Sequence, residues 1–282
     1  MKKLAIAISA ILALATGTVY AGNEATTSLE DSTNDYVQID QSSPGIAWAD
    51  GNDAVVNFKY SSNNEVYIDQ EGNRNSVEVD GAIPGVFPTD DNYVAINQDG
   101  DDNHSYVQFK GADDNNVYVD VTGNGNATYS YFTGYNADNN TIDIDVVDSD
   151  NNFVQTTVKS ASGNSENNLI DVDITDASND NFVTVAQRRD NNIAEVTISG
   201  SSNDNLVDVD QRSHENYADI DISGASERNF VYVDQNGRDS FADVSIQAGS
   251  ADNMVDITQT TNDYASVTMT NSQLSSVYIT QN

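Results

Sequence analysis

The sequence predicts an all-β fold, a two-sheet parallel β-solenoid of about 10 rungs with roughly 24 residues in each rung. Here a rung is one strand of each sheet with its two turns. Three observations predict this fold. Apolar and polar residues alternate strictly, the alternating runs are short and separated by Asn, Asp, Ser and Gly, and the runs recur at a fixed spacing.

The composition excludes several classes of function. The chain of 282 residues carries 11 Lys+Arg against 45 Asp+Glu, a formal net charge of −34. Binding to nucleic acid and to anionic membrane surfaces depends on clustered Lys and Arg, so we expect neither partner. No segment after residue 21 is continuously apolar, so we expect no insertion into a lipid bilayer. The absence of cysteine excludes disulfide scaffolds, thiolate metal sites and thiol nucleophiles. We expect no cofactor and no metal.

The N-terminus has the pattern of a secretory signal peptide over residues 1–21. Lys2 and Lys3 precede an apolar run over 4–15, and small residues at 19–21 are typical of a cleavage site. The apolar run is shorter than the roughly 20 residues of a membrane span. We therefore expect an exported protein, with a repeat domain at 34–282.

The repeat is clearest in the C-terminal third. The runs NFVTVAQ, NLVDVDQ, NFVYVDQ and NMVDITQ begin at Asn181, Asn205, Asn229 and Asn253, 24 residues apart. A second type of run lies between them, beginning at Asn192, Asn216, Ser240 and Asp263. Each period therefore contains two strands, and rungs must stack because one rung alone buries too little apolar surface.

The alternation also predicts which side chains face the interior. Asn229, Val231, Val233 and Gln235 share one face of their strand, and the valines identify that face as the core. Stacking then gives columns of identical residues about 4.8 Å apart. The predicted columns are inward Gln (Gln41, Gln70, Gln98, Gln187, Gln211, Gln235, Gln259, Gln281), inward Asn (Asn181, Asn205, Asn229, Asn253), close-packed Ala (Ala194, Ala218, Ala242, Ala265) and outward acids (Glu195, Asp219, Asp243).

The N-terminal half follows the same pattern with less regularity. Strands are expected near Asp35, Asn52, Asn64, Asn75, Asn92, Asn103, Asn115, Asn126, Asn140, Asn152 and Asn168, which gives about 20 strands in all. The inward glutamines of this half fall on the other sheet, so the Gln column is expected to change sheets. The three prolines lie in two insertions, 42–51 and 81–90, which are expected to be loops outside the sheets.

The unit NFVYVDQNGRDSFADVSI (229–246) resembles the curlin repeat. Gln follows the opening Asn by six residues, Gly follows two later, and a polar residue then opens the next strand. The segments at 65–80 and 93–103 show the same Q-x-G-x-x-N pattern. The resemblance covers about residues 34–282. Two features depart from it: Ile198, Ile222, Ile246 and Met269 stand where curlin has its second Gln, and the turns contain more Asp and Asn than Gly.

The resemblance implies a secreted structural subunit of curli, the extracellular functional amyloid fibre of bacterial biofilms. It implies export through an outer-membrane secretion pore, with residues 22–33 as the leader addressed to that pore. The implied partners are further copies of the chain and a nucleator subunit. The regular C-terminal repeats favour the major subunit, and the minor, nucleating subunit is the alternative.

Two other classes of protein compete with this interpretation. A β-helix enzyme would need unlike catalytic groups clustered on one rung, and the basic residues of this chain are scattered, so no enzyme is expected. A calcium-dependent adhesin is suggested by Asp143, Asp145, Asp148 and Asp150, and by Asp pairs at 171–173, 208–210 and 219–221. These pairs alternate along strands, and no calcium-binding loop motif accompanies them, so a solvated acidic face is the preferred interpretation.

The last strand, SSVYITQ (275–281), has no capping segment after it in this sequence. We expect its free edge to act as a template for the next subunit.

Overall fold

The computed structural model describes residues 22–44, 50–81, 88–134, 136–160 and 163–282. The predicted signal peptide, at 1–21, lies outside the described residues, as do the centres of the two insertions, at 45–49 and 82–87. The flanks of the insertions are described, and the expectation that 42–51 and 81–90 lie wholly outside the sheets is wrong at their first residues, because Ser42 pairs with Glu71 and Gly81 pairs with Phe58.

The described residues form 21 strands in two parallel sheets. The eleven-stranded sheet contains β1 (Glu24–Glu30), β3 (Asp53–Lys59), β5 (Ser76–Gly81), β7 (His104–Lys110), β9 (Ala127–Thr133), β11 (Phe153–Lys159), β13 (Phe182–Gln187), β15 (Leu206–Gln211), β17 (Phe230–Gln235), β19 (Met254–Gln259) and β21 (Ser276–Gln281). The ten-stranded sheet contains β2 (Tyr36–Ser42), β4 (Glu65–Glu71), β6 (Tyr93–Asp99), β8 (Asn116–Thr122), β10 (Thr141–Val146), β12 (Leu169–Ile174), β14 (Ile193–Ile198), β16 (Tyr217–Ile222), β18 (Phe241–Gln247) and β20 (Tyr264–Thr270).

Consecutive strands alternate between the sheets, so every strand pairs with the strand two places away in sequence. All pairs are parallel and in register, as in β15 with β17, where Val207 faces Val231 and Gln211 faces Gln235. The predicted two-sheet parallel β-solenoid is therefore confirmed, with the predicted repeat of roughly 24 residues.

The solenoid begins earlier than the sequence indicates. Residues 22–33 were assigned to a leader before the repeat domain, but Glu24–Glu30 form β1, which pairs with β3 along seven residues. Alternation does not reveal this strand because its inward positions are Ala25, Thr27 and Leu29, of which only Leu29 is large and apolar. The boundary at residue 34 is therefore wrong for the fold.

The core lies between the inner faces of the two sheets and consists of columns of branched aliphatic residues. Val183, Val207, Val231 and Val255 are fully buried on one sheet, and they face the interior opposite Ile198, Ile222 and their neighbours on the other. The core is one continuous cluster from Ala54 to Met269. Each rung contributes two narrow inner faces, so burial depends on the rungs above and below it.

The turns depend on residues that tolerate positive φ. Asp or Asn often stands at φ near 60° immediately before the Asn that opens a strand, as at Asn63, Asp102 and Asp204. Glycine is required where turns stack closely. Gly100 has φ +127°, and a Cβ atom there would lie 2.0 Å from the carbonyl oxygen of Gly123 in the next rung. Residues with positive φ and glycines at close contacts therefore allow the turns of successive rungs to stack.

The described part of the chain contains no helix of the length and apolarity needed to cross a membrane.

Candidate functional site: amide columns and end strands

The inward glutamines form two separate columns of hydrogen bonds. In the eleven-stranded sheet each Gln donates from Nε2 to Oε1 of the Gln in the next rung, with distances of 2.9 Å for Gln187 to Gln211, 2.9 Å for Gln211 to Gln235, 3.0 Å for Gln235 to Gln259 and 3.1 Å for Gln259 to Gln281. Each Nε2 also donates across the core to a backbone carbonyl of the other sheet, as Gln235 does to Tyr217 at 2.9 Å.

The second glutamine column lies in the ten-stranded sheet near the N-terminal end. Gln41 donates to Gln70 at 2.8 Å and Gln70 donates to Gln98 at 2.9 Å. The column stops at Gln98, whose Nε2 donates to Ser105 Oγ at 2.9 Å. The glutamines therefore do change sheets between the two halves, and apolar residues such as Val121 and Val146 take the Gln position on the strands that follow.

The inward asparagines form columns with more bonds at each step. Asn205 donates from its backbone N and from Nδ2 to Oδ1 of Asn181, at 3.0 and 3.1 Å. Its Nδ2 also donates to the backbone carbonyl of Ser226 at 3.0 Å. Asn229 and Asn253 repeat the two bonds to the preceding Asn. The side-chain amides of Asn181, Asn205 and Asn229 therefore have partners for both their nitrogen and their oxygen, as burial in an apolar interior requires, whereas Nδ2 of Asn216 in the other sheet has none.

The asparagine columns are longer than the four residues predicted. In the eleven-stranded sheet the column runs from Asn52 through Asn75, Asn103, Asn126 and Asn152 to the four predicted members. A second column in the ten-stranded sheet joins Asn64, Asn92, Asn115, Asn140, Asn168, Asn192 and Asn216. The signal is visible in the sequence, because each of these residues immediately precedes a strand and shares the parity of its core positions.

The alanine residues lie in register on the ten-stranded sheet. Ala194, Ala218 and Ala242 are fully buried, and Ala265 is almost so. Their small side chains lie at one end of the core, beside the buried asparagine column of the same sheet. On the preceding strands the same position is taken by Ile142 and Ile170, which are also fully buried, so the alanine column is confined to the last four strands of this sheet.

The outward acids form a longer column than the three residues predicted. Glu195, Asp219 and Asp243 are in register, and the column continues through Asp171 to Asp143, so five successive strands carry a carboxylate at the same position. Asp120, Asp145 and Asp173 form a parallel column two residues along the strands. We call these two sets of outward carboxylates on the ten-stranded sheet the acidic face.

The environment of the acidic face raises several carboxyl pKa values. Partial burial is the main cause at Asp171, followed by the charges of Asp173, Asp143 and Glu195, and it raises the pKa to about 6. The pKa values of Asp145 and Asp219 are raised by the same two causes. Ionisation of the acidic face is therefore less favourable in the folded stack than in an unfolded chain.

The outward acids of the eleven-stranded sheet do not form an unbroken column of neighbouring carboxylates. Asp210 and Asp234 are in register, but Arg212 lies between them, with nitrogen to carboxylate distances of 2.7 and 3.4 Å. Asp208 and Asp256 are separated by Tyr232, which occupies the intervening rung. These four acids therefore do not form an uninterrupted column of like charges, because cationic and neutral side chains separate them.

Within the described ranges no group of three or more His, Asp or Glu side chains is arranged to hold a metal ion. The Asp pairs considered for calcium lie at alternating outward strand positions, as in Asp171 and Asp173 of β12. Carboxylates in such rows point in the same direction and do not converge on one point.

Both ends of the solenoid present strands with one unpaired edge. β1 and β2 have no neighbour on their N-terminal side among the described residues, and β20 and β21 have none on their C-terminal side. Side chains at the C-terminal end are accordingly exposed, with Tyr264 at 63%, Tyr278 at 65% and Leu274 at 82%. An exposed strand edge is a template for pairing with another chain.

Comparison with known proteins finds no matching family model, no matching curated protein and no matching solved structure.

Proposed function

We propose that this chain is a non-enzymatic structural subunit that polymerises by end-to-end stacking into an extracellular, curli-like amyloid fibre. The observation that carries the proposal is that the amide and aliphatic columns run along the solenoid axis and reach strands whose outer edges are unpaired among the described residues. A second copy placed on such an edge would extend both sheets with the same parallel pairing that the chain uses internally.

The proposal gains support from the interior of the solenoid. Each rung is held by bonds to its two neighbours, so a terminal rung lacks half of the contacts made by an internal one. Val277 and Ile279 of β21 are only partly buried, whereas the residues that they face on β19, Val255 and Ile257, are fully buried. Addition of a copy would bury these terminal side chains and give partners to the backbone N–H and C=O groups at the outer edge of β21.

Export, assembly at the bacterial cell surface, the outer-membrane pore and a nucleator partner belong to the same proposal, and they rest on the resemblance to curlin. The proposal favours the major subunit because the C-terminal repeats are regular. The minor subunit is the alternative, and the two differ in behaviour: a nucleator shortens the lag of another chain at substoichiometric concentration.

Purified chain lacking residues 1–21 tests the proposal. We expect thioflavin-positive fibres with meridional diffraction near 4.8 Å and equatorial diffraction near 10 Å. The same protein should assemble equally well with a calcium chelator. A chain that stays monomeric by sedimentation for days, in mild acid and at neutral pH, would contradict the fibre. Folding that depends on calcium would favour the adhesin.

A further inference from the structure

The number of described strands is odd, and this determines how a second copy can continue the solenoid. Consecutive strands alternate between the two sheets, so a strand that followed β21 would lie on β20, and the next one would lie on β21. A second copy that continues the solenoid therefore places its β1 on β20 and its β2 on β21. Because β1 and β21 belong to the same sheet, the second copy must be turned by half a turn about the solenoid axis.

We propose that successive copies in the fibre are related by a half-turn about the fibre axis, an inference that rests on the proposed function. Each continuous sheet of the fibre then contains the eleven-stranded sheet of one copy and the ten-stranded sheet of the next. All pairs across the junction are parallel, as they are within the subunit. A copy stacked without rotation, with its β1 on β21, would leave a strand missing between β20 and its own β2, and backbone groups inside the fibre would lack partners.

The glutamine columns of the two copies meet at this junction. Nε2 of Gln281 donates to the Tyr264 carbonyl at 3.0 Å, and its second hydrogen has no partner among the described residues. No described residue donates to Oε1 of Gln41. A bond from Gln281 to Gln41 would repeat the bond from Gln259 to Gln281, in the same direction along the axis. The inward pairs of β21 with β2 are Val277 with Val37, Ile279 with Ile39 and Gln281 with Gln41.

The half-turn also explains why the Gln column changes sheets within the chain. Inward Gln lies on the ten-stranded sheet near the N-terminus and on the eleven-stranded sheet near the C-terminus. A half-turn interchanges the positions of the two sheets, so the terminal strands that carry Gln meet each other. Without rotation, β2 on β20 would place Gln41 on Met269, whose thioether is only a weak acceptor.

The terminal strands without Gln match as well. β1 on β20 places Ala25 on Ala265, so the alanine column gains a fifth member. It also places Leu29 on Met269, at the position of the large apolar residues that end the strands of this sheet. Ala25 is exposed and Leu29 only partly buried in the folded subunit, and the junction would cover both. The inward pairs of β20 with β1 are Ala265 with Ala25, Val267 with Thr27 and Met269 with Leu29.

The charges of the terminal strands are compatible with the junction. β20 and β21 carry no charged residue, whereas β1 and β2 carry Glu24, Glu30 and Asp40. Each of these three carboxylates would therefore lie on a neutral side chain. The outward acid column of the ten-stranded sheet ends at Asp243, which pairs with Ser266 of β20. The junction thus avoids like charges directly opposite each other on the paired strands, although the chain as a whole is strongly acidic.

Engineered cysteines at outward positions test the half-turn, because the chain has no cysteine of its own. Residues paired on parallel strands lie about 4.8 Å apart, which is within the range for a disulfide. We would mix two single-cysteine subunits, assemble fibres under reducing conditions and then oxidise them. We expect inter-subunit disulfides from T280C to D40C and from T268C to S28C. Stacking without rotation would instead give disulfides from T280C to S28C or from T268C to D40C.

The T258C/T280C pair within one subunit is the positive control, since these residues are paired in the eleven-stranded sheet. A disulfide at either unrotated pair, or at no inter-subunit pair while the control oxidises, would overturn the half-turn. Fibres form in both of these cases, so the half-turn can fail while the proposed function stands. Failure of the unmodified chain to form fibres would overturn the proposed function itself.

The Gln contact across the junction provides a kinetic test. Q281L and Q41L each leave one glutamine of the junction without its partner, so we expect seeded elongation to slow about fivefold or more. The Q41L/Q281L double variant places Leu on Leu, so it should slow elongation less than the product of the two single effects. Stacking without rotation keeps the two glutamines apart. The two effects would then multiply, and that result would contradict the half-turn.

Discussion

Amide side chains can occupy this interior because stacked rungs provide partners for their hydrogen bonds. Gln235 accepts from Gln211 and donates both to Gln259 and to the backbone carbonyl of Tyr217. An unpaired buried amide would cost about 1–3 kcal/mol, so a Gln within a column favours the register that places another Gln beside it. The columns therefore specify how neighbouring rungs align, and the aliphatic residues supply most of the burial energy.

Replacing Gln235 and Gln259 together by Leu should lower the stability of the subunit and slow fibre elongation. The change removes one hydrogen bond from each of the amides of Gln211 and Gln281, and it removes the bonds donated to the carbonyls of Tyr217, Phe241 and Asp263. We therefore expect a loss of about 2 kcal/mol or more in the free energy of unfolding. The measurements are chemical unfolding and the rate of seeded growth. The matched control replaces the outward Asp234 and Thr258 by Leu. Equal elongation rates for the two pairs would contradict a role of the Gln column in register.

At the scale of single elements, the sequence is sufficient for most strands and insufficient at the ends. From residue 181 onward, Val and Ile alternate with polar residues at a constant spacing, so strands, sheet assignment and inward faces all follow. Strand β1 could not be predicted, because its inward residues Ala25 and Thr27 are too small or too polar to produce a visible alternation. The position of Arg212 between Asp210 and Asp234 could not be predicted either, because it depends on the conformation of a long side chain between two rungs.

The turn containing Gly100 should be sensitive to substitution. Gly100→Ala would place a Cβ atom 2.0 Å from the Gly123 carbonyl in a backbone conformation that alanine rarely adopts. Gly249→Ala is the matched control, since Gly249 also has positive φ but no atom lies within 4 Å of its Cβ position. We expect about 1 kcal/mol of destabilisation for the control and about 3 kcal/mol or more for Gly100, measured by thermal unfolding. Similar losses would show that the turns do not stack this closely.

The acidic face should make the ten-stranded sheet more stable when its charge is reduced. Asp171→Asn and Asp219→Asn each remove a carboxylate that lies between two others. A carboxylate pair about 4.8 Å apart costs on the order of 0.9 kcal/mol in bulk water, and salt reduces this cost. We expect each substitution to stabilise the subunit by up to about 1 kcal/mol at neutral pH and to have no effect in acid. Asp204→Asn, in an exposed turn, is the control, and an equal gain there would assign the effect to net charge.

For the whole molecule, the formal charge of −34 opposes every stacking step, so conditions that reduce the charge should speed assembly. The raised pKa of Asp171, about 6, and the raised pKa values of Asp145 and Asp219 show how this works. The folded stack holds these protons to a higher pH than the unfolded chain does. Its stability therefore falls as pH rises from the unfolded pKa of about 3.9 towards the folded values, and it is greatest below that range.

The lag time of fibre formation should therefore shorten on acidification and on addition of salt. We would measure it from about pH 4 to pH 8, and from low to seawater-like ionic strength, where the screening length falls from about 30 Å to a few Å. The D171N/D219N variant separates the acidic face from the rest of the charge. Its lag should depend less on pH than that of the unmodified chain, because two of the shifted carboxyls are gone. A lag that lengthens in acid or in salt would mean that repulsion between these columns does not limit stacking.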